Sequence, residues 1–188
     1  MENRPPFSEQ VRESALCIAE SGAAALTGLY DLTSMRLVRF SVTITRNQHD
    51  AEDAVQAALV RVVGNAKILI RAQNPWPYLL QMVRNESLSI LRRKRRSAIV
   101  SNLTDLLTHR SVDAVTQEES HRAVWLAIRT LPVEQSEVVV LKIWEELSFS
   151  QIAEVLSIPA ATAGSRYRYA MQKLALELRS EAVEACYE

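Results

Sequence analysis

The chain has 188 residues, enough for one substantial domain or two small ones. Its 48% hydrophobic and 23% charged residues suit a chain that buries a core and exclude wholesale disorder. Only 4 Gly and 6 Pro disfavour turn-dense β sandwiches and Gly-rich phosphate loops, and 22 basic against 22 acidic residues, net +0, exclude a generic nucleic-acid coat.

Cys17 and Cys186 stand at opposite ends, with no paired spacing and no disulfide framework. The first residues do not place an apolar core behind a charged start, and no stretch approaches the roughly 18 apolar residues of a membrane span. A reduced, soluble, cytoplasmic protein with no membrane span is expected.

The neutral total hides opposed blocks. Residues 1–73 hold 8 basic and 8 acidic groups. Residues 74–100 carry Arg84, Arg92, Arg93, Lys94, Arg95 and Arg96 against Glu86 alone, net +5, whereas residues 101–120 carry Arg110 against Asp105, Asp113, Glu118 and Glu119, net −3. Residues 121–159 come to −2, residues 160–180 to +3, and the last eight, with Glu181, Glu184 and Glu188, to −3.

In chain order, Asp50, Glu52 and Asp53 place acids at a predicted helix start, where they cap N–H groups and suit the dipole. Val55, Leu59, Val62 and Val63 follow as one apolar face. Asn74, Pro75 and Pro77 open the next helix, predicted from about residue 75 to 96, with Leu79, Leu80, Val83, Leu88 and Leu91 inward and a basic run at its end. The helical stripe then fades into Ser, Thr and Asp. Beyond it, Val124, Ile128 and Leu131 form a stripe broken by Pro132; Val138, Leu141 and Trp144 form another; Ile152, Ala153 and Leu156 a third. After Ser157, Ile158 and Pro159, the last stripe runs through Ala163, Tyr167, Ala170, Met171, Leu174 and Leu178. A short helix, a tight break and a longer basic helix make a helix-turn-helix layout. Thr162, Ser165, Arg166, Arg168 and Tyr169 fall largely off the apolar stripe, free to face a groove.

The fold class is therefore all-α: two small helical domains, residues 1–97 and 118–182, with a linker over 98–117 and an acidic tail over 183–188. Five adjacent cations, residues 92–96, exceed what a helix dipole rewards, and a polyanion would relieve their repulsion and release counterions. The bland alternative is a solvated helix end. Trp76, Tyr78, Arg84 and Asn85 lie just upstream, aromatic, cationic and amide groups that can stack on or hydrogen-bond unpaired bases, although either aromatic taken singly is more often a core residue. The acids at 50–53 read better as caps than as a metal site, since His49 lies beside them rather than across from them. Glu118 and His121 have the spacing of a di-iron motif in a single copy, where such a site needs two. No nucleophile elbow, P-loop or dinucleotide fingerprint occurs, and Gly22, Gly28, Gly64 and Gly164 are scattered. No catalytic residue, metal or cofactor is expected, and the chain is read as no enzyme.

Three motifs in order resemble the extracytoplasmic-function (ECF) sigma factors of bacterial RNA polymerase. Residues 50–56, Asp-Ala-Glu-Asp-Ala-Val-Gln, resemble the D-A-E-D-x-x-Q signature of region two. Tyr78-Leu79, Val83-Arg84-Asn85 and Leu91-Arg92-Arg93 resemble its W-L, R-N and R-R segment. Leu131-Pro132, residues 148–153 and residues 158–166 resemble the L-P, S-y-x-E-I-A and P-x-g-T-V-K-S-R motifs of region four. The resemblance implies a subunit that binds core RNA polymerase and promoter DNA, with an anti-sigma factor as a further candidate partner.

By the same resemblance, Glu52, Asp53, Gln56, Leu59 and Arg61 would dock on core polymerase. The loop at residues 71–75 and the helix after it would hold the melted minus-ten strand, through Asn74, Trp76, Tyr78, Arg84, Asn85, Arg92, Arg93, Arg95 and Arg96. The last helix would enter the major groove of the minus-thirty-five element with Thr162, Ser165, Arg166, Arg168, Tyr169 and Lys173. The linker would thread along the polymerase. The chain departs from the family pattern at Gly164 and Tyr169, where basic residues are usual, and at Gln151, Ser157, Ser136 and Ser89. A free-standing helix-turn-helix regulator is the alternative function, and a helical adaptor that binds only protein is a third.

Overall fold

The computed structural model describes residues 5–101 and 119–184, and the side chains of residues 5–97 and 124–178. The predicted linker from residue 102 to 117, the end of the acidic tail, and the side chains of the Glu118–His121 motif lie outside these described residues. The helices are α1 (Phe7–Ser21), α2 (Leu26–Thr45) after a 3-10 turn (Gly22–Ala25), α3 (Gln48–Gly64), α4 (Lys67–Arg71), α5 (Pro75–Ser101), α6 (Glu119–Thr130), α7 (Val133–Ile143), α8 (Phe149–Leu156) and α9 (Ala160–Glu184). No strand occurs among the described residues. The chain divides into two units, the helices up to α5 in one and those from α6 on in the other, apart from Glu154–Leu156.

In the first unit α2, α3 and α5 pack on one another and α1 closes the bundle. Leu29, Leu37, Phe40 and Ile44 of α2 meet Ala51, Ala54, Val55, Ala58, Leu59 and Val62 of α3, all buried. The three alanines keep the α3 backbone close to its neighbours, and they complete a stripe whose large residues alone are visible in the valine and leucine spacing. Asn47, not the acid cluster, caps α3: its side-chain oxygen accepts the Asp50 N–H at 3.0 Å. The helix thus starts two residues earlier than the acids suggest, and Asp50 is freed for another bond.

On α5 the inward stripe begins as predicted with Leu79, Leu80 and Val83, then continues through Ser87 and Ile90, while Leu88 and Leu91 are half-buried. A serine keeps the 3.6-residue period here because Ser87 shares a hydrogen bond of 2.8 Å with buried Ser41 on α2, which offsets the cost of burying two hydroxyls. Apolar periodicity alone cannot find such a position. The helix also runs on to Ser101, past the end predicted at residue 96.

In the second unit α9 packs along α7 and α6. Ala127, Ile128, Val138, Leu141, Ile152, Ala163 and Ala170 are buried, Trp125 and Trp144 stack with centroids 4.9 Å apart, and Phe149 meets Tyr167 edge-on at 5.7 Å. Met171, placed in the apolar stripe by its spacing, is exposed. A reciprocal capping box opens α8: the Ser148 N–H donates to Gln151 Oε1 at 2.9 Å and the Gln151 N–H to Ser148 Oγ at 3.2 Å. Glutamine thus serves where the family pattern has glutamate. Ser157 ends α8 in the left-handed region, φ 55°, and the Ile158 N–H donates to the Ala153 carbonyl at 3.1 Å, the bond of a Schellman close.

Two substitutions in this unit should act in opposite directions. Ser148→Ala removes one half of the capping box and is expected to cost about 1 kcal/mol. Gly164→Ala, inside α9 with open space where a Cβ would stand, is expected to add about 1 kcal/mol. Denaturant unfolding of the two variants checks both signs.

Candidate functional site

The residues singled out by the sequence fall on three surfaces. On α3, Asp53 and Gln56 are exposed and Glu52 is half-buried, within reach of His49 at 3.9 Å and accepting from Gln48 Nε2 at 2.7 Å. Leu59 is not part of this surface. Its side chain is 2% exposed and packs in the core, where burial is worth roughly 1.5–3 kcal/mol, so it supports the helix and offers nothing to a partner. Val60, 67% exposed, stands instead on the face of Asp53 and Gln56, at i+7 and i+4 from them. The signal for it in the sequence was an apolar residue lying off the apolar stripe. Arg61 is exposed but engaged: its guanidinium reaches Glu86 of α5 at 2.9 Å and ties the two helices together.

The second surface follows α5. Asn74 occupies its cap position, with the Asn74 carbonyl accepting the Tyr78 N–H at 3.1 Å. Trp76, expected to stack on bases, is 2% exposed; its ring meets Phe7 edge-on at 4.8 Å and the Arg36 guanidinium lies 5.0 Å from it. Trp76 is thus a core residue joining α1, α2 and α5, as the bland reading of a single aromatic has it. Tyr78, Asn85, Ser89, Arg92 and Arg96 are exposed and share one face, because steps of seven and four residues return to it. Tyr78, Asn85 and Arg92 follow one another at about 10.5 Å along the helix. Arg84 is half-buried. Arg93 and Arg95 are exposed beside this face, while Lys94 turns back to Asp50, Nζ to Oδ2 2.7 Å, with the Asp50 side chain only 10% exposed. One of the five adjacent cations, itself still exposed, therefore anchors the helix through a buried carboxylate.

The third surface is α9. Thr162, Ser165, Arg166, Tyr169 and Lys173 recur at i, i+3, i+4, i+7 and i+11, the spacing of one helix face; Tyr169 and Lys173 are exposed and the others half-buried. Ser165 Oγ donates to the Thr162 carbonyl at 3.0 Å. Arg168, exposed, lies to the side of that face. Tyr169 thus stands at its centre where the family pattern has a cation. Among the described residues no cluster of His, Cys, Asp and Glu gathers as metal ligands, and no helix is long and apolar enough to cross a membrane.

The family model for Sigma-70 region 2 matches residues 29–97, and that for Sigma-70, region 4 matches residues 121–174, together well over half of the chain. The chain is 29% identical over 150 residues to the RNA polymerase sigma-E factor of Streptomyces avermitilis, covering 79% of this chain and 82% of that one. It is 25% identical over 167 residues to the ECF RNA polymerase sigma factor SigW of Bacillus subtilis, covering 82% and 89%. The chain belongs to the ECF sigma factor family. As a sigma factor it binds core RNA polymerase and promoter DNA and directs initiation to specific promoters. A free-standing regulator would leave region two without a task. The fold of this sigma factor is also that of two solved structures. One is sigma factor RpoE with the anti-sigma factor NepR from Bartonella quintana, with TM-score 0.65 and 22% identity over 76% of this chain and 89% of that one. The other is CnrH with the cytosolic domain of CnrY, with TM-score 0.63 and 21% identity over 91% and 98%.

Proposed function

We propose that this sigma factor divides its work among the three surfaces: Asp53, Gln56 and Val60 dock on core polymerase, α5 with the loop before it holds the melted minus-ten strand, and α9 reads the minus-thirty-five duplex. The single observation that carries the reading is the exposed face of α5. An aromatic, an amide and arginines succeed one another there along one line, the mixture that stacks on bases, hydrogen-bonds their edges and follows a phosphate chain. A helix end that was merely solvated would need the charges but not Tyr78 and Asn85 in line with them.

On α9, Arg166 and Lys173 would hold phosphates or guanines, and Thr162, Ser165 and Tyr169 would meet base edges in the major groove. Arg168 would reach the backbone from the side. The polymerase supplies all the chemistry, and the sigma factor acts with it in the cytoplasm, without metal or cofactor. An anti-sigma partner is supported by the solved relative that is held by one. Strand opening is the step that tests the α5 surface. On a promoter located by run-off transcription, permanganate should modify minus-ten thymines when holoenzyme is present. Asn85→Ala should cut that reactivity severalfold while minus-thirty-five protection persists; full reactivity in the variant would count against α5.

A further inference from the structure

The loop between α4 and α5 is held from outside the region-two match, which begins at residue 29. Arg12, on α1, spans it: Nη1 donates to the Ile70 carbonyl at 2.6 Å and Nη2 to the Gln73 carbonyl at 3.3 Å. Its Nε faces Glu9 Oε2 at 3.2 Å, and its side chain is 26% exposed. The two carbonyls differ in kind. Ile70 lies in the last turn of α4, where carbonyls lack helical partners and the dipole favours a cation; Gln73 belongs to the loop itself. A planar fork that bonds both fixes the angle at which the loop leaves α4, which a single point charge on a flexible stem cannot do. The far end of the loop is fixed from α1 as well. Trp76, two residues beyond Asn74, packs edge-on against Phe7, and the Arg36 guanidinium lies 3.8 Å over the Phe7 ring.

We infer that Arg12 is a positioning residue for minus-ten selectivity: it holds residues 71–75 in the conformation in which Asn74 and its neighbours meet the melted strand. This rests on the proposed role of that loop. Arg12 touches no base. Three of its five N–H donors are directed at the two carbonyls and Glu9, so its effect on DNA passes through the loop. A short loop bonded at one carbonyl and packed at its exit keeps few conformations, and the ordering cost is met on folding rather than on binding.

The experiment selects from a pool of single-stranded oligonucleotides of random sequence with holoenzyme made from wild type, Arg12→Ala, Arg12→Lys and Asn74→Ala. Core affinity and thermal unfolding are measured alongside. Arg12→Ala is expected to lower the enrichment of the preferred sequence on the order of fivefold, the loss of a charge-assisted contact passed on in part. Arg12→Lys should fall between it and wild type, and core affinity should stay within about twofold for both. Full enrichment with Arg12→Ala while Asn74→Ala loses it would overturn the role of Arg12 and leave the loop reading intact. Enrichment by wild type that Asn74→Ala retains would overturn the loop reading and Arg12 with it. Loss of core affinity in step with enrichment, in both Arg12 variants, would make Arg12 a stabiliser of the fold alone and equally overturn the inference.

Discussion

Replacing Asp53 and Gln56 together by alanine is expected to weaken binding of core RNA polymerase about 100-fold, with the unfolding midpoint unchanged. Both side chains are exposed on α3, whose core contacts come from Ala51, Ala54, Val55, Ala58, Leu59 and Val62. Exposed substitutions of this kind usually stay within about 0.5 kcal/mol in stability. Two interface contacts of about 1.4 kcal/mol each give the 100-fold. Leu59→Ala should do the reverse, costing about 2–5 kcal/mol of stability, so the pair separates docking from folding. Titration of labelled core with each variant checks this, and unchanged affinity in the double variant would remove α3 as the docking helix.

The second large effect is electrostatic. Substituting Arg92, Arg93, Arg95 and Arg96 by glutamine, with Lys94 kept because it holds Asp50, should weaken the open promoter complex roughly 100-fold or more at physiological salt. The slope of log affinity against log salt should flatten by about 3, four phosphate contacts at about 0.7 each for single strands. Core affinity should be unchanged. If the run were only a solvated helix end, the slope would not move.

Much of this was legible in the chain. The two helical units, the break at Pro132, the start of α5 at Asn74 and Pro75 and the helix-turn-helix followed from period and punctuation, because those signals are local. What escaped was decided by neighbours distant in sequence. Asp50 looks like a cap until Asn47 takes that task and Lys94, on another helix, takes the carboxylate. Trp76 has the composition of a base stacker and the environment of a core residue, since Phe7 and Arg36 come from helices with no motif to announce them. Leu59 lies on the same helix as the exposed Gln56, three residues beyond the motif, but faces inward, one residue from Val60, which faces out. Arg12 had no signal at all: its role lies in two carbonyls some sixty residues away.

The net charge of +0 also takes on a narrower meaning. Cationic faces on α5 and α9 are balanced by acidic blocks elsewhere, so the long-range attraction of the free chain to DNA is small. On the function proposed above, specific recognition would depend on the polymerase, which would place both surfaces on one promoter. The most direct test is run-off transcription on fragmented genomic DNA by core enzyme with and without the chain. The account predicts discrete transcripts only when both are present. Transcripts identical with and without the chain would contradict it.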